Sequence, residues 1–452
     1  MIRPSMLQSA GLIILLTLGA GGLNAGAGST DWKQILGPSQ ARLPDPLPQV
    51  VWREDLIAAV MEAKQTGRPL FITLRCLPCK QCSLFDKDVL EGGPLLTPLL
   101  RQFITVRLTD AKKMDLRLLP IDGFQDFDLS WWGYFLSSEG RVYGIFGGKD
   151  HVSDATRISP EALAVTLKRV LDHHYDPRRI QWDIDGPAPD LSAPERVPTQ
   201  LVGFAGWQRN RDGETRSQTC LHCHQVSEIL REPAIEAKKF DKQLDTQVWP
   251  LPENVGIQLD RDDGLRVTSV MEGSPAAKVG LRAGDSLGAA GGRKLLGQAD
   301  FRGVLHRGPK RAGTIPVVWL RGGEVMAGDL AVSEGWRKTI LDWRMSIAQG
   351  NIGEDCGFFP LSIGKEERAA LGLDEDAMGV KPYMYKEPTA ASRAGLRGNQ
   401  VIVAVNGQSP NVAGRAFEWW FRQHFDAGDE VRLTVRDGAG PTREIVYRLE
   451  VP

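Results

Sequence analysis

The period of apolar and polar positions changes several times along the chain, and those changes mark out its units. Residues 55–65 carry apolar side chains at helical spacing and stop at Gly67, residues 69–74 form a short strand-type run, and Cys76 follows at once. After a second helical stretch come strand-type runs at 103–108, 132–136 and 142–146. The last two are joined by a turn at Ser138-Glu139-Gly140, and a helix over 160–174 closes the series. Helices and strands in this alternation predict an α/β sandwich. Four prolines (Pro38, Pro44, Pro46, Pro48) precede the unit and four more (Pro187, Pro189, Pro194, Pro198) follow it, as extended linkers do.

From about residue 250 the chain repeats itself at an offset of 115 residues. Ser274-Pro275-Ala276-Ala277-Lys278-Val279-Gly280-Leu281-Arg282 corresponds to Thr389-Ala390-Ala391-Ser392-Arg393-Ala394-Gly395-Leu396-Arg397. The same shift pairs Gly264 with Gly379, Leu287 with Ile402 and Gly292 with Gly407. In each copy a strand (265–270; 380–385) leads into a short helix ending in Gly-Leu-Arg and then into another strand. The chain therefore divides into 1–27, a linker 28–48, an α/β domain 49–182, a Pro-rich linker 183–200, a short helical Cys/His segment 201–249, and two β-rich repeats at 250–336 and 337–452.

The first 27 residues read as an export signal. Met1-Ile2-Arg3 supplies a charged start, residues 7–18 an apolar run, and Ala25-Gly26-Ala27 a cleavage site. That run is about 12 residues long, short of the ~20 that span a bilayer. No later segment is apolar enough to span one, so a periplasmic or secreted location and no stable membrane span after cleavage are expected. At 452 residues, the chain needs about three cores on a prior of roughly 150 residues per domain. Fifty-five basic against fifty-six acidic residues leave a net charge of -1, which gives no field for capturing a phosphate backbone, so nucleic acid is not an expected partner.

Two cysteine motifs carry the candidate chemistry. Cys76-Leu77-Pro78-Cys79-Lys80-Gln81-Cys82 sits where a strand gives way to a helix. A sulfur at Cys76 there meets unpaired backbone N–H groups and the positive end of the helix dipole, which favours the thiolate. Cys79, at helical spacing, can attack a mixed disulfide formed at Cys76. The strand followed by C-x-P-C-K resembles thioredoxin, a resemblance that implies Cys76 as nucleophile and Cys79 as resolving thiol. Arg75 stands where thioredoxins have tryptophan, and no proline precedes the strand at 132–136. Cys82 lies one turn beyond Cys79. Three sulfurs on one helix face can pass a disulfide along, hold a soft metal such as copper(I), or form a static bridge.

The second motif is Cys220-Leu221-His222-Cys223-His224, the C-x-x-C-H pattern of c-type haem attachment, with thioethers at Cys220 and Cys223 and iron on His224. Met271 and His306 are the candidates for the second axial ligand. A Cys220–Cys223 disulfide, or a zinc site using His222 or His224, remain open. Cys356 reads as a small buried hydrophobe. His173 and His174 close the 160–174 helix, where a cation suits the dipole, and the Trp131-Trp132 and Trp419-Trp420 pairs read as core and rim packing.

The repeats resemble the PDZ modules of secreted bacterial proteases, whose S-P-A-x-x-A-G-L-x-x-G-D-x-I core is nearly spelled out by residues 274–287. By that resemblance each takes an extended peptide of a protein client by strand addition. The carboxylate loops fall at Asn254-Val255-Gly256-Ile257 and at Gly357-Phe358-Phe359-Pro360-Leu361. No G-x-S-x-G accompanies them, which disfavours proteolysis. Over nearly the whole mature chain the arrangement resembles a bacterial family of secreted thioredoxin-like and PDZ domain (seleno)proteins. The expected function is thiol–disulfide exchange on protein clients docked by PDZ modules, with haem on the second motif. The other class is a non-enzymatic scaffold or metal-handling protein whose cysteines are bridges or ligands.

Overall fold

The computed structural model describes residues 30–450 except 76–79, 92, 122, 130, 149–158, 210–220, 339–342, 349–351, 385–387 and 439. The export signal expected over residues 1–27 lies outside the described residues. Among the described residues no helix is long and apolar enough to cross a membrane.

After a short helix α1 (Trp32–Leu36), five strands form the first sheet: β1 (Trp52–Arg53), β2 (Leu70–Leu74), β3 (Ile104–Leu108), β4 (Trp131–Leu136) and β5 (Val142–Gly148). Their order is β1-β3-β2-β4-β5, with β1, β3 and β2 parallel, β4 antiparallel to β2 and β5 antiparallel to β4. Helix α2 (Leu56–Thr66) precedes β2. Asp55 caps its first turn through a bond from Ala58 N, and Gly67 ends it at φ 65°, a left-handed position that glycine adopts without strain. Helices α3 (Lys80–Phe85), α4 (Thr97–Leu100) and α5 (Pro160–His174) follow in chain order, and between α3 and α4 the helix widens to π geometry over Asp86–Leu90.

All the residues of β2, β4 and β5 are buried, because each face of the sheet is covered. Phe71, Trp131 and Phe135 face a core shared with Phe85, Leu100 and the inner side of α5. Ile72, Trp132 and Tyr134 face the other side, with α2. Helix α2 alone does not fill that second face. Trp207, Leu221, Val226 and Ile229 join the same cluster, from α7 (Phe204–Arg209), the turn before α8 and α8 itself (Cys223–Glu236), which follow the one-turn helix α6 (Arg179–Trp182). The 201–249 stretch, too short to build a core alone, thus buries its apolar side against the sheet. The Pro-rich stretch before it is also tied down: Leu116 N donates to Arg196 O at 2.7 Å, and Arg117 Nη1 to Ala193 O at 2.5 Å.

Beyond the one-turn helix α9 (Lys242–Asp245), the first repeat contains β6 (Ile257–Leu259), β7 (Val267–Val270), α10 (Pro275–Val279), β8 (Ser286–Ala290), β9 (Arg293–Lys294), α11 (Gln298–Arg307), β10 (Gly313–Arg321) and β11 (Glu324–Val332). After α12 (Met345–Ala348), the second contains β12 (Phe359–Ser362), α13 (Lys365–Ala370), β13 (Val380–Tyr383), α14 (Ala390–Arg393), β14 (Gln400–Val405), α15 (Arg415–His424), β15 (Glu430–Asp437) and β16 (Thr442–Arg448). The first repeat forms a β6-β7 pair and a four-stranded sheet β11-β10-β8-β9. The second forms one sheet, β12-β13-β14-β15-β16. The protein is thus a multidomain α/β chain with several β-sheets, each repeat having its own apolar cluster.

Helix α11 ties the first repeat to the first sheet. The Asp300 carboxylate accepts from Ile145 N (2.8 Å) on the outer edge of β5 and from Leu296 N (3.0 Å), so the edge strand is covered. Gly144 makes room for it, since a Cβ there would lie 2.7 Å from Asp300. Deeper in, Asp126 is 2% exposed and accepts from fully buried Arg344 at 2.7 and 2.8 Å and from Arg302 of α11 at 3.3 Å. Burial alone would raise the Asp126 carboxyl, but the guanidiniums more than offset it and hold it below the usual carboxylate range.

The reading of His173 and His174 as cations at a helix end is overturned. Both rings are buried, 3% and 7% exposed. His173 bonds Asp185 at 2.7 Å, and His174 bonds Tyr143 Oη at 2.7 Å and Gly67 O at 2.9 Å. Burial lowers the pKa of each, to about 4 for His174, so the neutral ring is the one that packs. Trp131 and Trp132 lie on opposite faces of the first sheet, 1% and 0% exposed, and Trp420 is buried in the second repeat.

Two outcomes follow. Asp126→Ala removes the carboxylate shared by two buried guanidiniums, leaving Arg302 its bond to Trp249 O and Arg344 its contact with Asp128, and is expected to lower the unfolding free energy by about 3–5 kcal/mol in urea titrations, whereas adding Arg344→Met costs less than the sum of the two single changes. For His174 the folded pKa lies below the unfolded 6.5, so its contribution is present above pH 6.5 and is lost as pH falls towards 4, on the order of 3 kcal/mol in all. Urea midpoints measured at pH 7.5 and 4.5 should converge for wild type and His174→Gln at the lower pH. A constant gap would refute the assignment.

Candidate functional site

Strand β2 delivers Arg75 to the end of the sheet where the first cysteine motif begins. Arg75 N donates to Leu108 O at 3.1 Å, so the pairing with β3 continues one residue past the strand. Cys76 and Cys79 lie outside the described residues. Cys82 lies within α3, one turn before the π segment, and its side chain is outside them as well. β4 begins at Trp131, so Trp132 is already inside the strand, opposite Leu74. The residue before it, Ser130, is also outside.

A buried ionic cluster adjoins the motif. Arg75, which stands in the place of the tryptophan of thioredoxins, pairs with Asp86, a carboxylate 3% exposed. Arg107 of β3 lies 3.4 Å from the same carboxylate, 2.7 Å from Glu91, and 4.3 Å above the Trp52 ring. Burial pushes the Asp86 carboxyl up, with Arg107 and Arg75 pulling the other way. A guanidinium is thereby fixed one residue from Cys76. Sequence reading missed Asp86, although it follows the last cysteine of the motif by four residues, the spacing of one helical turn.

The second motif is held at the same end of the sheet. Asp110, two residues beyond β3, accepts from Leu221 N at 3.1 Å, and Ala111 N donates to Leu221 O at 3.2 Å. Cys220 lies outside the described residues. Cys223 opens α8 and is 7% exposed, in the cluster that contains Trp207, Val226 and Ile229. In the next position, His224 Nδ1 lies 3.1 Å from Glu228 Oε1, one turn on, and Trp207 Nε1 donates to Glu228 Oε2 at 2.7 Å. The His224 side chain is 24% exposed, and the His222 ring stacks 5.7 Å from it. An imidazole with one nitrogen tied to a carboxylate suits an iron or other transition-metal ligand, with Nε2 as the donor atom. No group of three or more His, Cys, Asp or Glu side chains able to hold a metal occurs among the described residues. The copper and zinc expectations therefore both depend on cysteines outside them.

Of the candidate second axial ligands, Met271 is 64% exposed at the turn after β7. His306 is stacked 4.8 Å from Trp249, its Nδ1 accepts from Trp249 N at 3.3 Å, and burial lowers its pKa to about 3.

The two loops expected to receive a peptide have matching local geometry. Gly256 and Gly357 both take φ 84°, and each packs on the side chain that caps the short helix of its repeat, Ser274 before α10 and Thr389 before α14. Val255, Ile257 and Phe358 are buried, so the loops offer backbone rather than these side chains. A cavity of about 310 Å³ lies beside the second loop, lined by Asp355, Cys356, Gly357, Thr389 and Tyr447 among others. The Cys356 thiol is 1% exposed and burial pushes its pKa up, in keeping with a packing role.

No curated protein matches the chain. Residues 51–122, which span β1 to β3 and include the first cysteine motif, match the family model described as thioredoxin-like, and this part of the chain is a thioredoxin-like domain.

Proposed function

We propose that the chain is an exported thiol–disulfide oxidoreductase acting on protein clients. Cys76 and Cys79 carry the exchange, and the repeats dock clients as PDZ modules. The observation that carries the reading is the position of the C-x-P-C motif, between the end of β2 and the start of α3 in a thioredoxin-like domain. In the reductive direction the Cys76 thiolate attacks one sulfur of a client disulfide and the other leaves as a thiolate. Cys79 then attacks Cys76 Sγ, which releases the second client sulfur. The client gains two electrons and two protons, and the protein ends with a Cys76–Cys79 disulfide. Arg75 stabilises negative charge one residue from the attacking sulfur. The matched glycine loops support docking by the repeats, whose peptide ligands would pair with β6 or β12.

The second motif is read as a c-type haem site on Cys220, Cys223 and His224. The tie between His224 and Glu228 favours this, because it leaves Nε2 as the ligand atom. When bound, the haem would supply one-electron chemistry.

The full mature chain is expected to reduce insulin disulfides, with activity falling to background in Cys76→Ser and retained in Cys82→Ser. Absence of activity together with stoichiometric copper or zinc would favour the scaffold or metal-handling class instead. Protein made with haem-maturation machinery is expected to show a Soret band that disappears in Cys220→Ser/Cys223→Ser. A featureless spectrum removes the haem and leaves the exchange at Cys76 standing.

A further inference from the structure

We infer that Glu228 and Trp207 are positioning residues that hold His224 as a metal-ligating imidazole with Nε2 as the donor atom. The inference rests on the haem reading of the second motif and deepens it. Neither residue is part of the C-x-x-C-H pattern. The fold brings them to it.

Glu228 follows His224 by four residues on α8, so the two side chains share one face. The Glu228 side chain is 2% exposed, and both of its oxygens are engaged: Oε1 with His224 Nδ1 at 3.1 Å, and Oε2 by the Trp207 indole N–H at 2.7 Å. A bare helix-surface pair has neither that burial nor a third member. Trp207 reaches the carboxylate because α7 lies very close to α8. A Cβ on Gly203 would fall 2.0 Å from Ile229 O, and one on Gly206 would fall 2.3 Å from Glu236 Oε1. The indole has a single N–H to give, so it fixes the carboxylate, and the carboxylate then orients the imidazole.

A neutral imidazole carries one proton. When Nδ1–H donates to a carboxylate, the lone pair must sit on Nε2. Nε2 has no partner among the described residues, and the ring is partly exposed. A carboxylate on the far nitrogen also raises ligand basicity, which favours the higher oxidation state of a bound iron. The chemistry recognised is a transition-metal centre with one coordination position open to imidazole. The iron of a covalently attached haem is one source and a bare divalent ion is another.

The test compares full-length wild type, Glu228→Gln and Trp207→Phe, each made with haem-maturation machinery and checked for retained fold by circular dichroism. With a Soret band present, Glu228→Gln should shift the ferric-to-ferrous balance at least tenfold towards ferrous, a rise of about 59 mV for one electron. Trp207→Phe should shift it in the same direction by less. A Soret band with an unchanged potential in Glu228→Gln overturns the inference and leaves the haem reading intact. If no Soret band forms, the haem reading fails and cobalt(II) alone decides the inference. Visible bands that are lost in His224→Ala, with affinity reduced about 10–100-fold in Glu228→Gln, support it, and no binding by wild type overturns it.

Discussion

A carboxylate 2% exposed, faced by two buried guanidiniums from distant parts of the chain, fixes how this protein is assembled. Asp126 lies in the loop before β4, Arg302 on α11 of the first repeat, and Arg344 just before α12. Taking those charges out of water is costly, and their mutual attraction compensates only when the geometry is kept. Neighbouring polar groups extend the constraint. Asp128 accepts from Ser346 N and Oγ, and Ser346 Oγ and O accept from Arg231 of α8. The thioredoxin-like sheet, the Cys/His segment and the first repeat therefore meet at one ionic centre, which no segment can leave without stranding a charge. Such a centre specifies one arrangement more than it adds stability, because apolar residues of the same volume would pack there without the desolvation cost.

The local elements were legible because their signals are local. A cap at Asp55 and a left-handed glycine at Gly67 bracket α2, and Ser159 with Pro160 starts α5 where the pattern placed it. Strand ends moved by one or two residues, as at β4 and β5, where pairing with a neighbour decides the boundary. The role of residues 201–249 was not legible. Periodicity shows that α8 has an apolar face but does not name its partner, and the partner is the open half of a sheet that ends at Gly148, well before α8 begins at Cys223. Composition likewise marked residues 187–198 as a linker, whereas Arg117 and Leu116 bind its backbone to the first domain. The two histidines at the end of α5 were misjudged for a related reason: their position on the helix was visible and their burial was not.

At the site, the motifs were legible and their supports were not. A C-x-P-C run and a C-x-x-C-H run stand out by residue type and spacing, but Asp86, Arg107, Asp110 and Trp207 become relevant only through contacts between elements. Arg75 shows the difference. From sequence it is a departure from the thioredoxin pattern, and in the fold it is the partner of a buried carboxylate on the helix that follows the motif. Asp86 could have been found by helical spacing from Cys82, and Glu228 by spacing from His224. Nothing in the sequence could have linked Trp207 to Glu228.

The placement of the two cysteine motifs follows from the same borrowed core. Leu108 ends β3, accepts the amide of Arg75, and is buried in the cluster that also holds Leu221 and Cys223. Just beyond it, the Asp110 carboxylate accepts from the Leu221 N–H and the Ala111 N–H donates to the Leu221 carbonyl. The flanks of the two motifs are thus fixed to one strand end by hydrogen bonds, two between backbone groups and one to the Asp110 carboxylate, each worth about 1 kcal/mol net. That strand is buried on both faces, so it is among the last parts of the domain to open. A segment tethered only by linkers would sample many positions relative to the first motif. Here the sheet that needs covering and the helix that needs a partner satisfy each other, and that mutual burial fixes Leu221 and the start of α8 against the end of β3.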